Sequence, residues 1–450
     1  MYEFKKTDSK ELERTITILL AVFMIAMPVS YSLQFFGIVD TGRVLVSEVV
    51  LVISAVILAG FDMAYVFRKE NRGIRLFDII ALLMIVSVVI STMFANNIKL
   101  ALGGNDITGE NTMALIAFVL IGYSASLITD DKNRKIIYAA SVIFGLIQVV
   151  MGLSQTLFIT PRIEELLLLE EGEIPRAIGT VKNANPYGNL MVLLTGLECG
   201  LVYSSKGFKG KALHGILVVL YMLCLLLSGT RGAYVGFFGA AFVMCIVLIV
   251  KTVKTKQKLS KTFFNLGIVL LLVVVAAGIY LLTSMGNLKD VANRTSADVA
   301  NGGFGEYRAL MWKRAIDEFF LERPVIGCGP SNVSFAFFTG NIFMGDASGE
   351  LVFDIHNKYL NIMCTQGIVG LLLYLALLFI CAFHGFKKLH VGNQDACTSY
   401  IAFCLALLGF AFSDFFCIGM ACMRPYFYIL LGMMCSRNET VKMLGKKKNR

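Results

Sequence analysis

Two arginines and one histidine are the side chains in this sequence best suited to chemistry. Arg231 stands in a tight turn, Ser228–Ala233, between two apolar segments. A charge so close to hydrocarbon is costly and favours a function, with snorkelling to lipid headgroups as the alternative. Arg308 lies early in a predicted amphipathic helix, where an ordinary helix charge is the alternative. His356 lies at the start of a later apolar segment, and a helix-capping or interfacial role is its alternative.

Together these residue types favour transfer from a phosphate-linked lipid donor to a hydroxyl. An arginine binds phosphate or pyrophosphate through two parallel hydrogen bonds. A histidine, with an unperturbed pKa of about 6.5, is suited to take the proton from an attacking hydroxyl. No paired acids at metal-ligand spacing accompany these residues, so the sequence favours a reaction without a metal ion or cofactor.

A second group of polar residues stands in front of another apolar segment. Within 175–187, two cations and two asparagines precede a predicted helix that opens with Pro186. Proline suits the first turn of a helix, and the helix N-terminus favours an anion. A helix cap formed by Asn183 or Asn185 is the alternative.

The elements that must position these residues are membrane-spanning helices. The chain has 450 residues, of which 57% are hydrophobic and 16% charged, and its mean hydropathy is +0.72. Its apolar residues form runs of about 20, the length that spans a bilayer. This excludes a soluble enzyme, a disordered chain, a disulfide scaffold and a coiled coil, and continuous runs favour helices over a barrel. The predicted fold is an all-α polytopic membrane protein with twelve spans: Thr15–Phe36, Val44–Val66, Leu76–Ala95, Thr112–Thr129, Lys135–Phe158, Pro186–Tyr203, Ala212–Leu227, Gly232–Val250, Thr262–Ser284, Leu360–Phe383, Thr398–Phe416 and Cys417–Cys435.

The distribution of basic residues predicts the orientation of these spans. With the N-terminus inside, the inner segments hold 27 of the 41 lysines and arginines, as the positive-inside rule requires. Both termini are then cytoplasmic, and Arg231, Arg308 and His356 face the outside. The net charge of +10 is therefore a topology signal and does not predict nucleic-acid binding. We interpret most of the 11 cysteines as small buried apolar residues.

Three regions follow from this arrangement. Residues 1–284 form spans 1–9, residues 285–355 form a large outer loop, and residues 356–450 form spans 10–12 and a basic cytoplasmic tail. Helical spacing over 306–322 predicts an amphipathic helix in the loop, with Trp312 as a core or interfacial anchor. The loop is thus predicted to fold into a partly helical cap.

Three sequence blocks carry a family resemblance. They are Gly179–Thr180 with Asn185–Pro186; Ser228–Ala233; and a long third block containing Arg308, Trp312, Pro324–Pro330, His356–Asn357 and, nine residues further on, Gly367–Gly370. In these blocks the chain resembles the O-antigen ligase and O-antigen polymerase superfamily of bacterial envelope proteins. It departs from the ligases at Trp312, because they carry leucine four positions after the arginine.

The resemblance implies a glycosyltransferase C-like fold in the bacterial plasma (inner) membrane. It further implies an undecaprenyl-pyrophosphate-linked glycan as donor and a glycan or glycolipid acceptor at the outer face. His356 would be the general base, while Arg231 and Arg308 would hold the pyrophosphate as it leaves. The implied substrate-binding residues are Arg176, Lys182, Asn185, Asn357 and Tyr359.

The sequence leaves two questions about function open. A polymerase and a ligase differ only in the acceptor, and a related variant would transfer the glycan to protein hydroxyls. A polytopic transporter or lipid-linked glycan flippase is the alternative from another class, because Glu48 and Glu198 lie within spans and Asp62 and Asp414 near span ends.

Overall fold

The computed structural model describes eleven stretches of the chain. They are residues 9–35, 46–68, 73–104, 108–157, 175–181, 183–205, 207–255, 308–337, 350–352, 354–389 and 394–436. The predicted ninth span, Thr262–Ser284, lies outside them.

Helices make up most of the described chain. In chain order they are α1 (Ser9–Phe35), α2 (Val46–Arg68), α3 (Leu76–Met93), α4 (Ile98–Gly103), α5 (Thr112–Ser126), α6 (Asp131–Leu157), α7 (Ala184–Ser204), α8 (Phe208–Leu227), α9 (Arg231–Thr255), α10 (Arg308–Ala315), α11 (Lys358–Leu389), α12 (Gln394–Ser413) and α13 (Arg424–Cys435). A π-helical turn, Ile316–Phe320, follows α10, and a 3₁₀ turn, Asp414–Phe416, follows α12.

The helices support an all-helical polytopic membrane architecture. Within the described residues, six helices are long and apolar enough to cross a bilayer, and Thr112–Ser126, Arg231–Met244 and Ile401–Phe416 are shorter apolar segments. Each predicted span other than the ninth overlaps a helix. The total of twelve spans stays a prediction.

The predicted cap, described from sequence as partly helical, also contains a short strand pair. Two three-residue strands, β1 (Phe335–Phe337) and β2 (Glu350–Val352), pair antiparallel, with Ala336 opposite Leu351. Aromatic and branched residues suit an extended backbone, and the signal in so short a run is too weak to find from sequence. The predicted cap therefore contains a small β-ribbon as well as helix.

The predicted last span, Cys417–Cys435, is wrong at its N-terminal end. Residues 417–423 are not helical, and α13 begins only at Arg424, with Pro425 in its first turn. Its 12 residues reach about 18 Å, well short of the roughly 30 Å hydrocarbon core. Every residue of α13 is buried, so protein surrounds this helix.

Helix α7 lies at the centre of the bundle, against α8 and α12. Its contact with α12 is close because Gly196 and Gly200 face Ala406 and Ala402; a Cβ on Gly196 would lie 2.6 Å from the Ala406 backbone. Small residues of this kind allow membrane helices to approach one another without a hydrophobic driving force. Elsewhere, large apolar side chains such as Val56, Phe242 and Phe379 are exposed, as expected where helices contact lipid.

Helix α11 is interrupted at Gly367. The segment 324–329, which follows α10 (the cap helix), packs against this break. Gly367 has a φ of 70° inside α11, and Gly327 of the partner segment has a φ of 76°. The Ile368 N–H donates to the Pro324 carbonyl (2.8 Å), and the Cys328 N–H donates to the Cys364 carbonyl (2.9 Å). The break thus exposes backbone groups that bind the 324–329 segment to α11, a few turns below His356.

The cap helix α10 is amphipathic, as predicted for 306–322. Met311 and Ala315 are buried and Trp312 is half-buried, whereas Ala309 is exposed. The helical segment ends in the π-helical turn at Phe320, two residues before the end of the predicted range. Cys328 and Cys364 belong to the same small core, and both are free thiols. Burial raises the pKa of the Cys328 thiol to about 12, which makes this thiol unreactive.

Candidate functional site

His356 lies in a sharp turn immediately before α11. Its φ is 51°, a left-handed value that histidine rarely adopts. The His356 N–H donates to Asp354 Oδ1 (2.8 Å), and the His356 side chain is half-buried. The turn places the half-buried imidazole just before the first residue of α11.

The cap helix is fixed directly to this turn. Trp312 Nε1 donates to the Ile355 carbonyl (2.9 Å), and the indole packs edge-on against Phe415 at 5.5 Å between ring centroids. Trp312 therefore serves as a packing anchor, as the sequence predicted. Arg308 is the first residue of α10, one helical turn before Trp312.

The 3₁₀ turn Asp414–Phe416 contacts a residue near each of the three candidate catalytic residues in the sequence. Phe415 packs on Trp312 and on Tyr359, whose rings lie 5.5 and 6.4 Å away. Phe416 packs against Gly232, where an added Cβ would lie 2.5 Å from Phe416 Cβ. Sequence blocks containing Arg231, Arg308 and His356 thus converge on one turn, although they are far apart in the chain.

Arg231 is the first residue of α9 and is half-buried. The turn before it approaches α7 closely: a Cβ on Gly188 would lie 2.8 Å from both Ser228 Oγ and Thr230 Cβ. Thr230 Oγ1 donates to the Ala184 carbonyl at the start of α7 (2.8 Å). The N-terminal ends of α7 and α9 are therefore held side by side, and both helix termini favour negative charge.

Arg176 joins these two helix ends. Its Nε donates to the Ser228 carbonyl (2.7 Å), and its Nη2 donates to Asn185 Oδ1 (3.1 Å) and Thr230 Oγ1 (3.3 Å). The cap of α7 is made by Asn183, whose side chain accepts from the Asn185 N–H (2.9 Å). Helix capping by Asn183, one of the two sequence interpretations, is therefore present. Lys182 lies outside the described residues.

Asn357 and Tyr359 have structural contacts. Asn357 is fully buried, and its Oδ1 accepts from the Leu360 N–H (3.1 Å), which caps α11. Its Nδ2 has no hydrogen-bond partner within the described part of the chain. The Tyr359 hydroxyl donates to the Ala411 carbonyl (2.7 Å), and its ring lies 5.9 Å from that of Tyr374.

A network of buried charges beneath His356 was not predicted. Lys358, the first residue of α11, forms an ion pair with Glu110, and Arg424 Nε lies 3.4 Å from Glu110 Oε1. Arg424 Nη1 also donates to Asp414 Oδ2. All four side chains are at most 7% exposed, so two cations and two anions are neutralised inside the protein.

Asp354 lies at the edge of this network. Its Oδ2 accepts from Asn361 Nδ2 (2.6 Å) and from the Gly419 N–H (3.3 Å). Burial, and then the neighbouring Glu110 charge, raise the pKa of Asp354 to about 6, while Lys358 and the N–H groups of His356 and Gly419 oppose the rise. The carboxylate thus stays charged near neutral pH only through specific partners.

Within the described residues, no group of three or more histidine, cysteine or acidic side chains is placed to hold a metal ion. Arg231, beside the N-termini of α7 and α9, suits a negatively charged ligand, and the half-buried imidazole of His356 suits a proton transfer.

Long apolar helices around a polar site at one end define an integral membrane protein. A family model described as O-antigen ligase matches residues 216–375, about a third of the chain. This match supports the resemblance to the O-antigen ligase and polymerase superfamily found in the sequence. No curated protein matches the chain. The matched segment includes Arg231, Arg308 and His356, and the family indicates a glycosyltransferase-like enzyme that acts on lipid-linked glycans.

Proposed function

We propose that the chain transfers or polymerises an undecaprenyl-pyrophosphate-linked glycan onto an acceptor hydroxyl at the outer face of the plasma membrane. The observation that carries this proposal is the family match over residues 216–375. It covers the turn at Arg231, the cap helix and the His356 turn, which approach one another around Asp414–Phe416.

In this reaction His356 is the general base. It accepts the proton of the acceptor hydroxyl while the oxygen attacks the sugar carbon that is bonded to the pyrophosphate. The bond between this carbon and the pyrophosphate oxygen breaks, and the lipid pyrophosphate leaves with the electron pair. The half-buried position of His356 suits this role because its backbone is fixed and its side chain is partly accessible.

Arg231 and Arg308 hold the pyrophosphate and stabilise its charge as it leaves. The N-termini of α7 and α9 add partial positive charge beside Arg231. Arg176 and Asn185 act mainly on the shape of this anion site, because they already bind each other and the 228–230 turn. Lys182 and Tyr359 complete the proposed substrate contacts. Asn357, predicted as a substrate contact, is fully buried and instead caps α11 beside His356.

Three of the four acids that suggested a transporter contact other side chains of the bundle. Asp62 Oδ2 accepts from Ser124 Oγ (2.7 Å), and Glu198 Oε2 lies 2.6 Å from His214 Nδ1. Asp414 pairs with Arg424. These contacts connect helices within the bundle, which is the usual role of a paired buried charge and favours the enzyme over a transporter or flippase.

The test uses purified full-length protein in liposomes with an undecaprenyl-pyrophosphate-linked glycan. With this donor alone, a polymerase produces longer lipid-linked chains, whereas a ligase requires an added glycolipid acceptor. His356→Ala is expected to lower turnover by about 10²- to 10⁴-fold, the usual contribution of a general base. His214→Ala is the matched control, because that histidine pairs with Glu198 away from the candidate site.

Full turnover by His356→Ala would remove the general-base role. Movement of the donor between leaflets without any new glycosidic product would instead support the flippase.

A further inference from the structure

The backbone of His356 has a positive φ, which is uncommon for any residue that carries a Cβ. Within the described residues, only Ser331 and His356 are non-glycine residues with positive φ. Such a conformation is costly for a side chain with a Cβ, and it persists only where neighbouring groups enforce it. The direction of the imidazole therefore depends on the contacts that fix this turn.

Two hydrogen bonds fix the turn, one on each side of the peptide between residues 355 and 356. The Ile355 carbonyl accepts from Trp312 Nε1 (2.9 Å), and the His356 N–H donates to Asp354 Oδ1 (2.8 Å). The first contact comes from the cap helix and the second from the chain itself. The Asp354 carboxylate can hold this peptide in place only if other groups hold the carboxylate itself.

The Asp354 carboxylate is itself held by further hydrogen bonds. Asn361, on the first turn of α11, and the Gly419 N–H both donate to Oδ2, so one carboxylate bonds to three donors from three places in the chain. Asp354 is 5% exposed, and it is more costly to bury as a carboxylate than as a neutral group. Both carboxylate oxygens accept from N–H donors, so an amide, which would turn one oxygen into a donor, could keep only part of this set.

We infer that Asp354 is the positioning residue of His356: its carboxylate, held by Asn361 and Gly419, fixes the left-handed turn that directs the imidazole toward the acceptor. This inference rests on the proposed role of His356 as general base. Asp354 itself touches no reacting atom. Its contribution is geometric, because a misdirected base loses rate even when substrates bind normally.

The experiment compares Asp354→Asn and Asp354→Ala with the parent protein in the liposome assay. We expect kcat to fall by about 10- to 100-fold in Asp354→Ala. The fall in Asp354→Asn should be smaller, because the amide oxygen can still accept from the His356 N–H. KM for the donor and the acceptor should stay within about twofold of the parent value in both variants, since neither substrate contacts Asp354.

Thermal unfolding at pH 7.5 separates positioning from a structural role. The folded-state pKa of about 6 lies above the ordinary value, so the charge at Asp354 disfavours the folded state above that pH. Removal of the charge favours folding of Asp354→Asn, and loss of the hydrogen bond from the Gly419 N–H opposes it, so this variant should unfold near the parent temperature although its kcat is lower. Asp62→Asn is the matched control, because Asp62 is also buried and hydrogen-bonded, but to Ser124 on the distant side of α5.

A double-variant comparison identifies the residue through which Asp354 acts. In the His356→Ala background, adding Asp354→Asn should change the residual rate little, because the two substitutions remove the same contribution. Parent-like kcat in Asp354→Asn, with His356→Ala inactive, would overturn the positioning role and leave the general base intact. An equal loss of kcat in Asp62→Asn would also overturn the positioning role of Asp354. An active His356→Ala protein would overturn both this positioning role and the general-base role of His356.

Discussion

The two arginines beside Thr230 have different environments. Arg176 uses Nε and Nη2 on three protein acceptors, whereas Arg231 begins a helix at a half-buried position beside the proposed anion site. A guanidinium at a helix N-terminus is electrostatically unfavourable for the helix itself. A bound anion would offset this cost, which is consistent with the proposed role of Arg231.

Arg231→Lys is expected to fail in glycan transfer. The ammonium retains the charge, but it cannot reproduce two parallel hydrogen bonds to a pyrophosphate. Loss of one charge-assisted bond costs about 1.5–3 kcal/mol, or roughly 10- to 150-fold in rate. The liposome assay measures this directly, with Arg314→Lys as control, since Arg314 pairs with Glu318 on the cap surface. Parent-like turnover in Arg231→Lys would refute the pyrophosphate assignment.

At the residue scale, the sequence could reveal single charges in apolar surroundings but not their partners. Arg231 and His356 were identifiable because few ionisable residues occur near the spans. Glu110 and Lys358 were missed because they are 248 residues apart, and no local pattern links them. Arg424 did leave a signal, a charge inside an apolar run, yet the sequence gives no indication that Asp414 and Glu110 surround it.

At the element scale, the contact between the 324–329 segment and α11 explains two glycines of the third sequence block. A Cβ on Gly367 would lie 2.1 Å from the Val325 carbonyl oxygen, and a Cβ on Gly327 would lie 2.3 Å from the Thr365 backbone. Both residues also need positive φ, which glycine adopts without steric cost. The position of Gly367 after His356 therefore decides where α11 breaks.

Gly367→Ala is expected to destabilise the protein by about 2–4 kcal/mol, because the left-handed strain and the overpacking add. Thermal unfolding in detergent measures the change. Gly60→Ala on α2 is the matched control, since nothing lies within 4 Å of its added Cβ and alanine is the better helix former. A Gly367→Ala protein that unfolds at the parent temperature would contradict the tight contact with Val325.

Periodicity and hydrophobicity predicted most helices well, because a span must satisfy its backbone within itself. They failed where tertiary contacts decide the structure. The start of α13 depends on partners for Arg424, the π-helical turn depends on packing of Phe319 and Phe320, and β1 exists only through its pairing with β2. None of these contacts is encoded in a local pattern.

At the scale of the whole molecule, the predicted orientation can be tested by labelling. We expect little labelling of the native cysteines, since eight of the nine described free cysteines are buried. Lys313→Cys, on the exposed side of the cap helix, is expected to react with a membrane-impermeant maleimide in intact cells. Lys132→Cys, exposed at the start of α6, should react only after the membrane is permeabilised.

The parent protein, treated in the same way, gives the background of the native cysteines. The opposite pattern, with Lys132→Cys labelled first, would invert the topology and place the candidate site in the cytoplasm. Equal labelling of both positions in intact cells would show that the cells leak.

The burial of Arg424 has a consequence for the order in which the chain is assembled. A helix of 12 residues that begins with a guanidinium gains little by entering lipid alone, since an arginine at mid-membrane costs about 2.5–3.5 kcal/mol even by insertion measurements. Its counter-charges belong to Glu110, at the start of α5, and to Asp414. Helix α13 can therefore settle only into a bundle that α5 and α12 have already joined, so its insertion is expected to be a late step of membrane assembly.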